Sequence, residues 1–112
     1  MTAPDFVHLH VHSEYSLLDG ANRIGDMVKA CKADGQRAVA LTDHGNMYGA
    51  IELYQKARAG DVKPILGCEM YVAKRSMREK HSKRDGNGYS HLTLLARTNE
   101  GYKNLVKLSS LG

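Results

Sequence analysis

Short apolar runs alternate along this chain with stretches whose apolar residues recur at helical spacing. Phe6 to His12, Phe-Val-His-Leu-His-Val-His, alternates with a period of two and predicts a strand. Ile24, Met27, Val28 and Cys31 fall at i, i+3, i+4 and i+7, the stripe of a half-buried helix, and Gly35 ends it. Ala38 to Thr42, Ala-Val-Ala-Leu-Thr, is a continuous apolar run of the kind that buried parallel strands carry. Asn46 is placed to cap a helix running to about Ala59, with Gly60 as its stop. Pro64 opens a third strand through Ile65 and Leu66 toward Glu69, with Met70 to Ala73 as an extension. Residues 74–88 read as a polar basic loop. His91 to Ala96 is a fourth strand, and Tyr102, Leu105 and Val106 mark a last helix ending near Gly112.

Strands that alternate with helices predict an α/β fold of about four βα units with parallel strands. A closed (β/α) barrel typically takes about 250 residues. The 112 residues present supply about half of that. The pattern therefore fits a small open sheet or the front part of a larger barrel. Residues 1–112 hold one domain at most, and we read them as an incomplete one, with no internal repeat.

Composition narrows the class. Apolar residues make up 42% and charged residues 25%, as in an ordinary globular protein. No apolar run approaches the ~18 residues of a membrane span, and the N-terminus lacks the basic and apolar regions of a secretory signal. The expectation is a cytoplasmic protein with no membrane partner. Cys31 and Cys68 form no CxxC pair and are expected to be buried free thiols. The net charge of +4 is local: between Lys74 and Arg84 stand six basic residues and one acid, so the remainder sums to −1. That loop is either solvated or a contact for a phosphate backbone.

The candidate chemistry lies at the strand ends. In a strand, His8, His10 and His12 share one face, and imidazole is the commonest metal donor near neutral pH. Alone, His-x-His also fits surface or satisfied core histidines. The other positions change the balance. His44 follows the second strand in Thr-Asp-His-Gly, Glu69 closes the third, and Asp19 lies in the loop after the first. Parallel α/β folds gather their functional groups at the carboxyl ends of strands. His10, His12, Asp19, His44 and Glu69 are therefore expected to converge on bound metal. Many imidazoles with few carboxylates suit zinc, manganese or iron more than magnesium or calcium. A bridging carboxylate such as Glu69 can hold two ions ~3.5–4 Å apart, which is the arrangement that hydrolyses phosphate esters.

Other positions carry less. His91 begins its strand instead of ending it, and spacing alone leaves its role open. His8 should lie deeper on the histidine face and pack or support, and His81 falls in the basic loop. Asp43 is either a partner that orients a neighbouring histidine or the start of an Asx-turn. Tyr15 and Tyr48 can stack on a base, although tyrosines near helix starts more often pack.

At this point the motifs resemble a known family. His10-Val-His12-Ser, Thr-Asp-His44-Gly and Pro-Ile-Leu-Gly-Cys-Glu69 resemble the PHP (polymerase and histidinol phosphatase) domains. Ser-Glu-Tyr-Ser-Leu-Leu-Asp19-Gly-Ala, His44-Gly-Asn-Met-Tyr-Gly-Ala, Glu69-Met-Tyr-Val-Ala, His91-Leu-Thr-Leu-Leu-Ala and Gly-Tyr-Lys-Asn-Leu-Val-Lys-Leu-Ser-Ser are similar to those at the N-termini of bacterial DNA polymerase III alpha subunits of the replicative type. The likeness covers residues 5–110 apart from the 74–88 loop. It implies the first half of a distorted (β/α)₇ barrel with two to three divalent ions. The matching metal ligands are His10, His12, Asp19, His44, Glu69 and His91, so His91 enters through the resemblance. Every ligand within this span is kept, which implies an active-type domain with phosphoesterase or 3′–5′ exonuclease (proofreading) activity. The implied partners are a DNA primer 3′ end, the polymerase core of the same chain, a proofreading subunit and a sliding clamp. These residues lack the polymerase palm and the later ligands, so they are not expected to act efficiently alone.

Two other functions fit the same residues. One is a scaffold that metals merely stiffen. The other is a stand-alone phosphatase resembling histidinol phosphatase, which the polymerase-like Leu-Leu-Asp-Gly-Ala and Gly-Tyr-Lys-Asn-Leu stretches argue against.

Overall fold

The computed structural model describes residues 6–73, 76 and 89–111. In chain order the elements are α1 (Ile24–Ala33), β1 (Ala38–Leu41), α2 (Ala50–Ala59), β2 (Lys63–Ala73), β3 (Tyr89–Leu95) and α3 (Asn99–Leu111). The three strands form one sheet in the order β1-β2-β3. β1 and β2 pair in parallel from Ala38↔Lys63 to Leu41↔Leu66. β2 and β3 pair antiparallel from Gly67↔Leu95 to Ala73↔Tyr89.

The sheet is therefore mixed, which corrects the expectation of parallel strands throughout. Parallel neighbours need a crossover, usually a helix, whereas antiparallel neighbours can be joined directly. Among the described residues no helix stands between β2 and β3. The basic loop 74–88 and His81 lie outside the described residues, Ser76 apart.

The strand expected over Phe6–His12 is an extended segment beside β1 with only an isolated bridge, His8↔Val39. Ala40 N–H donates to the His8 carbonyl at 2.9 Å, and Thr42 N–H donates to Val11 at 2.8 Å. Three residues on one side thus match two on the other, as in a bulge. The Thr42 hydroxyl takes the Val11 N–H at 3.0 Å where a backbone carbonyl would otherwise stand. This one-residue slip breaks the ladder and re-aims the histidines that follow.

One face of the sheet carries the helices. Ile24, Val28 and Cys31 of α1 and Leu53 and Ala57 of α2 meet Val39, Leu41 and Val62 in the main core. Each fully buried Val, Leu or Ile side chain contributes roughly 1.5–3 kcal/mol. A smaller core joins Cys68 and Met70 of β2 to Leu105 of α3. Both cysteines are free and buried, as expected. Burial pushes the Cys68 thiol up to about 11 and raises that of Cys31.

Element ends follow local chemistry. Gly35 takes φ +76° just past α1. After α2 the left-handed position falls to Asp61, at φ 57°, and not to Gly60. Asn46 does not cap α2, which starts after Gly49. Its Oδ1 accepts from Tyr48 N–H at 3.2 Å in an Asx-turn, and its amide donates to the Tyr15 and His44 carbonyls. Pro64 is tolerated because Lys63 and Glu69 donate toward the β1 side. By alternation the missing N–H faces the other side, short of the last β3 pair at Gly67↔Leu95.

Leu53 is fully buried at the junction of α1, α2 and β1. Leu53→Ala is expected to destabilise the domain by about 2–5 kcal/mol, read as a lower urea midpoint with an unchanged slope.

Candidate metal centre

The other face of the sheet gathers the ionisable side chains. His44 continues the line of β1 and bridges Glu69 in parallel register. Tyr71 pairs with His91 across the antiparallel ladder, and alternation puts Glu69, Tyr71 and His91 on one face. Because β3 runs antiparallel, its first residues lie at the carboxyl end of β2. That resolves the problem posed by His91, which starts its strand yet stands with the strand ends.

The loop between the first segment and α1 brings in the remaining donors. Ser13 N–H and Ser16 Oγ donate to Asp43 Oδ1 at 2.6 and 2.7 Å, and Ser13 Oγ donates to Oδ2 at 2.7 Å. His44 N–H in turn donates to Ser16 Oγ at 3.0 Å. Asp43, Ser13 and Ser16 are all buried. Asp43 therefore neither orients an imidazole through its carboxylate nor forms an Asx-turn; it pins the loop that carries Asp19. Gly20 completes the turn, because a Cβ there would stand 1.9 Å from the Ser13 carbonyl oxygen. On the far side, Ser109 Oγ of α3 donates to the Gly45 carbonyl at 3.1 Å.

All six expected side chains come together. His12 Nε2 lies 2.5 Å and His10 Nε2 3.3 Å from Glu69 Oε2. His44 Nδ1 is 3.2 Å from the same oxygen, and His91 Nδ1 is 3.0 Å from Oε1. His44 Nε2 is 2.7 Å and His12 Nδ1 3.8 Å from Asp19 Oδ2. Three overlapping donor groups result: His10, His12 and Glu69; His12, Asp19 and His44; His44, Glu69 and His91. His8 joins none of them and, contrary to the expectation that it lies deeper, is exposed, with its ring edge-on to the exposed Phe6 at 4.7 Å.

Glu69 is only 5% exposed. Burial alone would push its carboxyl up. Hydrogen bonds from His10 and His12, the nearby charge of His44 and a hydrogen bond from His91 outweigh burial and hold it down to about 2.

The donor set fits divalent cations. Three imidazole nitrogens crowd the single oxygen Glu69 Oε2. A carboxylate oxygen offers about two lone-pair directions, so hydrogen bonding cannot satisfy all three. His44 Nδ1 is the one left over: it is buried and, despite its 3.2 Å approach, has no aligned hydrogen-bond partner. Cations among these atoms would use every lone pair.

Sequence reading missed Ser13, Ser16 and Tyr71. Tyr71 had a signal, since it stands two residues beyond Glu69 in a strand and must share its face. Of the tyrosines singled out earlier, Tyr15 donates to Glu52 at 3.0 Å and packs against the main core, and Tyr48 is 76% exposed.

In metal-free protein the lowered Glu69 carboxyl makes a stabilising contribution. It is fully present above the ordinary value of 4.5 and is lost as pH falls toward about 2. The urea-midpoint advantage of wild type over Glu69→Gln is expected to be greatest above pH 4.5 and to close on acidification. Asp43→Ala is expected to weaken divalent-ion binding about 10–100-fold by calorimetric titration, because it releases the loop holding Asp19.

Residues 8–112 match the PHP domain family. The DNA polymerase III subunit alpha of Treponema pallidum is 49% identical over 110 residues, covering 98% of this chain and 9% of that protein. That of Borreliella burgdorferi is 50% identical over 106 residues, covering 95% and 9%, and that of Thermus aquaticus is 51% identical over 108, covering 94% and 9%. The chain thus spans about 9% of the length of these relatives. A solved structure provisionally assigned as a metal-dependent phosphoesterase of Bifidobacterium adolescentis aligns with a TM-score of 0.67 at 18% identity, over 96% of this chain and 33% of that one. An amidohydrolase of Chromobacterium violaceum, with bound sulfate and no metal, aligns with a TM-score of 0.62 at 23% identity, over 90% and 32%. At such identities the two structures bear on fold alone. Since the family match runs from His8 to the last residue, this chain belongs to the PHP domain family.

Proposed function

We propose that this PHP domain is the metal-dependent phosphoesterase module of a bacterial DNA polymerase III alpha chain, and that in the whole protein it removes nucleotides from a DNA 3′ end. The observation that carries this reading is the sharing of His12, His44 and Glu69 among three donor groups. His10, His12, Asp19, His44, Glu69 and His91 are the assigned ligands for two to three divalent ions, with the first five catalytic. Imidazole and carboxylate donors together favour zinc, manganese or iron and accept magnesium less well. Ions bound there supply Lewis-acid polarisation of a phosphate and activation of a water for in-line attack.

The chain's own residues set the stage for that chemistry. Glu69 stays ionised at working pH and presents both oxygens to the imidazoles around it. The side chains of His10, Asp19 and His91 are 56%, 55% and 45% exposed. They line the open side of the cluster, where a DNA terminus would enter. Helix-covered apolar residues close the opposite face and keep water to that open side. The whole domain is proposed to be a distorted (β/α)₇ barrel; the structural neighbours support its α/β fold, and the number of units follows from the family resemblance. Its proposed partners are the primer 3′ end and the polymerase core, with a proofreading subunit and a sliding clamp alongside.

The test is made on the full-length protein, loaded with Mn²⁺ or Zn²⁺ and free of any proofreading subunit. It is expected to shorten a primed DNA strand from its 3′ end. His12→Ala and Glu69→Ala should each reduce this by more than about a hundredfold, since even outer partners of metal ligands cost 10–100-fold, while polymerisation persists. If the loaded wild type leaves 3′ ends intact and chelation only lowers its melting temperature, the scaffold reading replaces this one.

A further inference from the structure

Beside the metal centre lies an aromatic surface to which the hydrolytic chemistry gives no role. Tyr71 shares the sheet face of Glu69, beside the three groups of imidazole and carboxylate donors. Its ring is held firmly. The plane is 4° from that of the His44 imidazole, with centroids 6.2 Å apart. Tyr89 meets it edge-on at 5.0 Å and His91 at 5.2 Å. Gly45 makes the room: with a Cβ, it would stand 3.0 Å from Tyr71 Cε2. A ring fixed by this many neighbours would ordinarily be buried. Tyr71 is 50% exposed and Tyr89 52%.

A rigid, half-exposed aromatic surface suits flat π-systems, since every nucleobase has a face to stack and fixed rings lose little freedom on binding. A phosphate held at His44 and His91 has its own nucleoside within reach of a ring whose centroid lies 5–6 Å from theirs. We propose that Tyr71, braced by Tyr89 and Gly45, is the stacking platform for the base of the 3′-terminal nucleotide. It positions that nucleotide's phosphodiester over the metal centre. Stacking reads no hydrogen-bond pattern, so the platform accepts all four bases and rejects an end that lacks a base.

This inference rests on the phosphoesterase reading but is measured without hydrolysis. The full-length protein is titrated with a trinucleotide that carries 2-aminopurine at its 3′ end and phosphorothioate linkages. Wild type is expected to quench the fluorescence. An unlabelled trinucleotide should compete about tenfold better than one with an abasic 3′ terminus. Tyr71→Leu should lose the quench and compete equally with both, Tyr71→Phe should retain the preference, and Tyr71→Trp should match or exceed it. The Phe and Trp arms decide the matter if the Leu variant proves poorly folded by its melting temperature. Equal competition by both trinucleotides in wild type overturns the platform, as does a Tyr71→Leu variant that quenches like wild type. So do Phe and Trp variants that lose the preference while folded. A protein that quenches through Tyr71 but never cleaves keeps the platform and loses the hydrolytic reading. One that cleaves with an unaltered preference after Tyr71→Leu does the reverse.

Discussion

A carboxylate buried at the junction of three chain segments governs this domain. Glu69 is held by imidazoles from the first segment, from the end of β1 and from β3. Removing a charged group from water is costly unless donors or cations surround it. The same requirement that makes Glu69 tolerable in the fold therefore draws His10, His12, His44 and His91 to one point. The contacts that hold the chain together on this face are those of the site itself, whereas the helix-covered face relies on ordinary apolar packing.

A second buried carboxylate works differently. Asp43 faces hydroxyls and a backbone N–H, all within 2.7 Å, and meets no imidazole. Its contacts tie the loop before α1 to the end of β1. Asp19 and His44 thus sit at fixed separation although they come from distant parts of the sequence. Gly20 allows the loop to close tightly enough for this to happen. The site is rigid at its base and open at its rim.

Much of this was legible from residue order. The helical stripe ending at Cys31, the apolar run Ala38–Leu41 and the strand leading to Glu69 all follow from periodicity and became α1, β1 and β2. The convergence of His10, His12, Asp19, His44 and Glu69 followed from the rule that strand ends share a rim. What failed were features set by tertiary geometry. Strand direction is not encoded in an apolar run, so β3 read as parallel and His91 looked misplaced. The broken ladder beside β1 depends on the Thr42 hydroxyl replacing a backbone acceptor, which no period reveals. Asn46 has a capping residue's chemistry, but it spends that chemistry on a turn three residues before the N-cap position of α2, Gly49.

Cys68 stands next to Glu69 in sequence, yet alternation turns its sulfur to the opposite face, where it donates to the Asp43 carbonyl at 3.5 Å. In the metal-free protein burial pushes its titration up to about 11, so there it is a neutral thiol throughout the physiological range. A soft, oxidisable donor thus lies one residue from the centre without belonging to it. The pleat acts as insulation: thiophilic ions such as Cu(I) find no sulfur anchor in the cluster, and peroxide finds no thiolate there to attack.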